Sequence, residues 1–206
     1  YFKSTFISTT NQIKIYYKSK FIMTSFYTPE ELDAIGFKAV GENVLISKKA
    51  SIYSPDMISI GSNVRIDDFC ILSGEIILHS YIHIAAYCGL FGKSGIEMES
   101  FTGLSPRCTL FSVSDDFSGS YLISPMTDSR HNNLIKGKKT IKKYSQIGAD
   151  CILFPSVTIE EGCAVGAKAL VKTSTTPWGI YVGQPAKRIK NRNKELLNYI
   201  NEYDCQ

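Results

Sequence analysis

Three histidines are the natural candidates for acid–base work in this chain: His79, His83 and His131. An unperturbed imidazole titrates near pH 6.5, so it can take or give a proton close to neutrality. Carboxylates stand in two adjacent pairs, Asp67-Asp68 and Asp115-Asp116. The second pair lies in a polar stretch that runs on through Ser118, Ser120 and Tyr121 to Ser129-Arg130-His131-Asn132-Asn133. A stretch so dense in hydrogen-bonding side chains, without period, reads as a functional insertion. The six cysteines are Cys70, Cys88, Cys108, Cys151, Cys163 and Cys205. They form no CxxC pair, so neither a zinc framework nor a disulfide scaffold is indicated. His79 and His83 are four apart and do not converge, and no metal is expected.

The element that must position these groups is a repeat. Aliphatic residues recur every six positions through Ile60, Ile66, Leu72, Leu78, Ile84 and Leu90. The period resumes at Met98, Leu104 and Leu110 after two extra residues, and again from Ile141 through Ile147, Leu153, Ile159, Val165 and Val171. Six is neither the helical nor the strand period. It suits flat three-sided coils, one aliphatic per side pointing inward, each coil burying its aliphatics only against its neighbours. Counting from Ile46 to Pro177 gives about six turns. The reading is an all-β solenoid over residues 44–184, with a protruding loop at 115–139. Cys70, Cys88, Cys108 and Cys151 all fall four after an inward aliphatic, on one side of successive turns. They are expected as an internal column of small hydrophobes, spaced by about 4.8 Å.

The flanks read differently. Residues 1–22 hold four lysines, no acid and no glycine, alanine or proline, and are expected to be an extension or flexible arm ahead of an initiating Met23. Residues 23–43 carry a short helix, with Thr28-Pro29-Glu30-Glu31 as a capping box and Gly36 as its stop. Residues 185–206 are expected as a C-terminal α-helix, with Leu196, Leu197 and Ile200 on its packed face. Beyond the first 22 residues, the 19 acidic residues are matched by as many basic ones, which argues against nucleic acid as a partner. No run approaches the roughly 20 apolar residues of a membrane span. Free thiols suit a reducing compartment, so the expected location is the cytoplasm.

The hexapeptide register and the ending Val182-Gly183-Gln184-Pro185-Ala186-Lys187-Arg188-Ile189 resemble the left-handed parallel β-helix of the hexapeptide-repeat acyltransferases. Arg65-Ile66-Asp67-Asp68-Phe69, His83-Ile84-Ala85-Ala86-Tyr87 and Ser112-Val113-Ser114-Asp115-Asp116-Phe117-Ser118-Gly119 are similar to the subgroup that acylates nucleotide-linked amino sugars, above all dTDP-4-amino-4,6-dideoxyglucose. The resemblance implies acetyl-CoA as acyl donor, a nucleotide sugar as acceptor, and a homotrimer with active sites between subunits. It implies surface-polysaccharide or O-antigen synthesis as the setting. It places coenzyme A phosphates on Lys187 and Lys190, with Lys172 in the same site, and the pantetheine arm along Ala149 and Ala167. One departure is the order Lys172-Thr173, which many members reverse. Trp178 covers the adenine or caps the open end of the core.

The family's usual catalytic histidine positions carry Gly74 and Asp115 here. A sugar hydroxyl needs a strong base, whereas an amine needs only to shed a proton, so an aspartate there favours an amine acceptor. His83 and Asp115 are the candidate catalytic groups. Asp67, Asp68, Arg107, Asp116 and His131 are candidates for sugar or nucleotide contacts. A sugar O-acetyltransferase and a non-catalytic β-helix scaffold are the alternatives.

Overall fold

The structure is a computed structural model describing residues 25–203. The basic arm, Met23 and Cys205 lie outside the described residues. The short helix Pro29–Ile35 begins at the expected capping box, with Thr28 and Glu31 bonded reciprocally and Gly36 left-handed behind it. The chain then winds into a left-handed parallel β-helix.

Three stacks of parallel strands form its sides. The first face runs Val44–Ile46, Val64–Ile66, Ile82–Ile84, Gly103–Leu104, Gln146–Ile147, Ala164–Val165 and Gly179–Val182. The second runs from Ser51–Tyr53 through Thr109–Phe111 and Ile152–Leu153 to Leu170–Val171, and the third from Ala39–Val40 and Ile58–Ile60 to Lys139–Ile141 and Thr158–Ile159. Two long strands, Ile71–Leu78 and Gly89–Met98, turn the corner between second and third faces. The expected register holds: Ile46, Ile66, Ile84, Leu104, Ile147, Val165 and Tyr181 pair in sequence up the first face, all buried. There are about seven turns rather than six. Coiling starts before Ile46, at Ala39, and continues past Pro177 because Tyr181 supplies one more inward side chain.

The cysteine column is also present. Cys70, Cys88, Cys108 and Cys151 are buried and free. Each thiol donates to a backbone carbonyl: Ala85, Ser105, Gly148 and Gly166 respectively, at 3.0–3.2 Å. The neighbouring thiol and burial push Cys70 and Cys108 well above the ordinary thiol value. These sulfurs fill core space and present no nucleophile.

Two further expectations change. The insertion leaves the coil as an antiparallel hairpin, Val113–Asp115 against Leu134–Lys136, and closes where the Gly137 N–H donates to the Ser112 carbonyl. Its bounds are therefore 113–136, shifted two to three residues toward the N-terminus from the expected 115–139. The C-terminal segment does not enter a helix at Pro185. Lys187–Asn191 folds back antiparallel on Gly179–Val182, because the last coil strand leaves an edge of unpaired backbone groups. A 3-10 helix follows at Glu195–Glu202, with Leu196, Leu197 and Ile200 half-buried.

One inward position breaks the apolar rule. Lys139 pairs beside Ile96 in the third face, is fully buried, and donates to the Phe154 carbonyl. Burial pushes its pKa down from 10.5 to about 7. Between those values the unfolded chain holds a proton that the fold rejects, so stability rises with pH across that window. Lys139→Met is expected to raise the melting temperature most below pH 7, with the gain fading as pH climbs toward 10.5. Circular-dichroism melts against pH check this, and a pH-independent gain contradicts it.

Candidate active site

Outward positions on the first face form a second column: Leu45, Arg65, His83, Gly103, Gln146, Ala164 and Ile180. His83 stands mid-strand there, more than half exposed. Its Nε2 lies 2.8 Å from Asp67 Oδ2, and Arg65 Nε donates to the other oxygen of that carboxylate at 2.7 Å. Burial alone would raise the Asp67 pKa, but the His83 and Arg65 hydrogen bonds outweigh it and hold the carboxyl below the usual range. Asp67 thus orients the imidazole. Asp68, next in sequence, points elsewhere: it accepts from Ser47 Oγ and Lys49 Nζ at 2.5 and 2.7 Å. Alternation at the corner separates the pair.

His83 opens into a cavity of about 560 Å3 shared with Arg65, Ser105 and Gln146. Above it Gly103 and Ala164 keep the face shallow. The column ends beside the returning strand, where Lys187 pairs with Val182 and Lys190 with Ile180. A register shift between Ile180 and Tyr181 places both lysines on the outer side. At about 4.8 Å per strand, five steps separate His83 from Lys190, roughly 24 Å of groove. Neither ammonium has a partner among the described residues. Ala149 and Ala167 stack one coil apart at the edge of this face, where the Lys168 N–H donates to the Ala149 carbonyl at 2.7 Å. A shallow track ending in free cations fits a long, anionic, flexible group such as coenzyme A. Lys172 is not part of this track: it lies beyond the second face's last strand, over the Phe154 ring. Trp178 is buried against Gly162, which fits a cap on the core.

Asp115 lies elsewhere. It is half-buried at the end of the first hairpin strand and lines a cavity of about 660 Å3 with Lys93, Ser114, Asn132, Asn133 and Lys136. Asp116 accepts from the Ser118 N–H and Asn133 Nδ2 at 2.7 and 2.8 Å. These bonds hold its carboxyl below the usual range. His131 sits farther out, in the short 3-10 turn Ser129–His131, beside Tyr121 and Arg130. Arg107 is engaged by Asp150 in a bidentate pair at 2.6 and 3.0 Å. The two cavities share no lining residue, so one chain does not bring His83 and Asp115 together. Sequence reasoning passed over Ser105, Gln146, Lys93 and Lys136. The outward alternation of the first face could have flagged Gln146, but Lys93 on its coil strand and Lys136 on the hairpin carry no local signal. Among the described residues no cluster of metal ligands is present, and no helix is long and apolar enough to cross a membrane.

Hexapeptide coils bearing an exposed histidine, a shallow track and terminal lysines define a β-helix acyltransferase. No protein-family profile matches the chain. It is 44% identical over 170 residues to dTDP-4-amino-4,6-dideoxy-D-glucose acyltransferase of Escherichia coli, covering 81% of this chain and 88% of that one. The chain belongs to the family of that acyltransferase. It is 52% identical to variants of AntD, an N-acyltransferase from Bacillus cereus. One was solved with dTDP and coenzyme A (TM-score 0.87, 89% of this chain and 99% of that chain). Another holds dTDP-4-amino-4,6-dideoxyglucose and coenzyme A (TM-score 0.87, 89% and 98%). The acetyltransferase domain of PglB from Neisseria gonorrhoeae, at 20% identity and TM-score 0.56, shares the fold alone, over 78% of this chain and 62% of that one.

His83→Asn is expected to move the Asp67 carboxyl titration upward, toward the ordinary carboxylate value, as read by carboxyl carbon NMR shifts against pH. An unchanged midpoint would mean the imidazole does not hold that carboxylate.

Proposed function

We propose that this chain transfers an acetyl group from acetyl-CoA to the amino group of dTDP-4-amino-4,6-dideoxyglucose. The observation that carries this reading is the near full-length likeness to AntD, solved with that amino sugar and coenzyme A. The residues supply a consistent chemistry. Coenzyme A delivers the acyl group as an activated thioester. Lys187 and Lys190 take its phosphates, and Ala149 and Ala167 leave room for its arm. His83, oriented by Asp67, stands at the inner end of that track, where it accepts a proton or positions the thioester. Asp115 orients the sugar amine and takes its proton as the nitrogen attacks, with Asp116 bracing the hairpin beside it. Asp68, Arg107 and His131 sit at the rims as contacts for sugar or nucleotide. No acyl-enzyme is needed, since no thiol is exposed among the described residues.

The acting unit is a homotrimer. In a closed ring of three triangular coils with one corner at the axis, the first face of each copy opens toward the second face of the next. The hairpin leaves from the far end of the second face, so it borders that cleft and can bring Asp115 to a neighbour's His83. The exposed stack of Phe69 on Tyr87, 4.9 Å between ring centres, lies on the corner that would meet the axis. The free thiols suit the cytoplasm, and the acylated sugar would serve surface-polysaccharide synthesis.

A second reading keeps the reaction but changes the acyl group, because AntD was also solved with dTDP and 3-hydroxybutyryl-CoA. The test is release of coenzyme A thiol from either donor, with dTDP-4-amino-4,6-dideoxyglucose or its 4-hydroxy counterpart as acceptor. Release with the amine only is expected. Release with the hydroxyl sugar supports O-acylation, and no binding of any acyl-CoA supports a scaffold. His83→Asn and Asp115→Asn are each expected to lower kcat by about a hundredfold or more, the usual range for a lost acid–base group. Wild-type rates in both variants would remove these residues from the mechanism.

A further inference from the structure

The hairpin cavity carries charges that nothing in the chain answers. Val113 pairs with Lys136 and Asp115 with Leu134, so these four side chains share one side of the hairpin, and all four line the cavity. Asp115 and Lys136 are diagonal neighbours on that side, about 7–8 Å apart by sheet geometry. Lys93 faces them from the bend in the strand Gly89–Met98. Neither Lys93, Lys136 nor the Asp115 carboxylate has a polar side-chain partner among the described residues. Six other cations are held by carboxylates, Lys48 by Glu31, Lys49 by Asp68, Arg107 by Asp150, Arg130 by Asp128, Lys138 by Glu97 and Lys142 by Glu160, whereas Lys93 and Lys136 stand unpaired in a cavity with a carboxylate. The cavity's volume, about 660 Å3, falls in the range of roughly 300–1,000 Å3 typical of small-molecule sites.

One carboxylate beside two free ammonium groups is the complement of a zwitterion with its cation and its anions a sugar ring apart. We infer that Lys93 and Lys136 hold the diphosphate of the nucleotide sugar, in the same cavity where Asp115 takes the sugar's ammonium group. The assignment rests on the amino-sugar reading above for the ligand's identity, and on the unpaired charges for the site. Lysine binds phosphate as a point charge through up to three donors, and two lysines span the two phosphoryl groups. With the anionic end fixed by the lysines, the amine is the only cationic group left to meet the carboxylate.

The test is calorimetric titration of the full-length protein with dTDP, with thymidine and with coenzyme A. The proteins compared are wild type, Lys93→Gln, Lys136→Gln and, as a charge-matched control, Lys138→Gln, whose ammonium is already taken by Glu97. Each of the first two substitutions is expected to weaken dTDP about tenfold, the size of one charge-assisted contact. Thymidine and coenzyme A affinities should hold, and the control should match wild type. In turnover the loss should appear in KM for the nucleotide sugar, with kcat retained. Unchanged dTDP affinity overturns the assignment. So does a loss confined to coenzyme A, which would give the cavity to the donor's phosphates, or an equal loss in Lys138→Gln, which would reduce the effect to general surface charge. Failure of the wild-type protein to bind dTDP or acylate the amino sugar would overturn the substrate reading itself, and shows before any lysine is changed.

Discussion

Everything in this molecule hangs on the stacking of inward aliphatic side chains, one per side per coil. No single coil can bury its own core, so each of Ile66, Ile84, Leu104, Ile147 and Val165 is satisfied only by the one below and the one above. Backbone pairing fixes the rise, and the six-residue period fixes which residues face out. The outward column of the first face is therefore as regular as the inward one. That regularity stands His83 over Asp67 and leaves Gly103 and Ala164 as a low path toward the closing strand. The coil is a ruler on which chemistry is laid out at fixed intervals.

The departures from the ruler are where specificity sits. The hairpin interrupts the stack once and carries Asp115 away from the first face. The closing strand reverses and turns Lys187 and Lys190 toward the track. Lys139, where the chain re-enters the coil after the hairpin, is an apolar position filled by an amine. It is tolerated because the Phe154 carbonyl accepts from it and because burial lowers its affinity for a proton. Local conflicts with the repeat lie beside the segments that carry the candidate site residues, a pattern expected where function is laid over a regular scaffold.

Much of the fold was legible in the sequence because a period of six over about a hundred residues has few physical realisations. The capping box at Thr28, the cysteine column and the inward set from Ile60 to Val171 all followed from spacing alone. The number of turns was undercounted because Tyr181, an aromatic, fills an inward place that the aliphatic pattern did not extend to. The C-terminal strand was missed because Lys187–Asn191 has a single apolar residue, the exposed Ile189, and its structure comes from an open sheet edge rather than from its own residues. His83 and Asp115 were singled out as candidates by residue type and by resemblance. Their placement in separate cavities was not, because pairing across the hairpin and its departure from the coil are tertiary facts. Lys93 and Lys136 stayed hidden for the same reason: 43 residues apart in sequence, they line one cavity only because the hairpin lies beside the coil strand Gly89–Met98.

The central claim is that the catalytic groups come from different copies of the chain, His83 from the first face of one and Asp115 from the hairpin of the next. Co-expression of differently tagged His83→Asn and Asp115→Asn chains, with purification of the mixed oligomer, measures this directly. In every mixed ring of three, about one site in three keeps both wild-type residues, whichever variant is in the majority. Acyl transfer to the amino sugar should recover to about that fraction of the wild-type rate. A mixed oligomer no more active than either parent variant would contradict a site shared between copies.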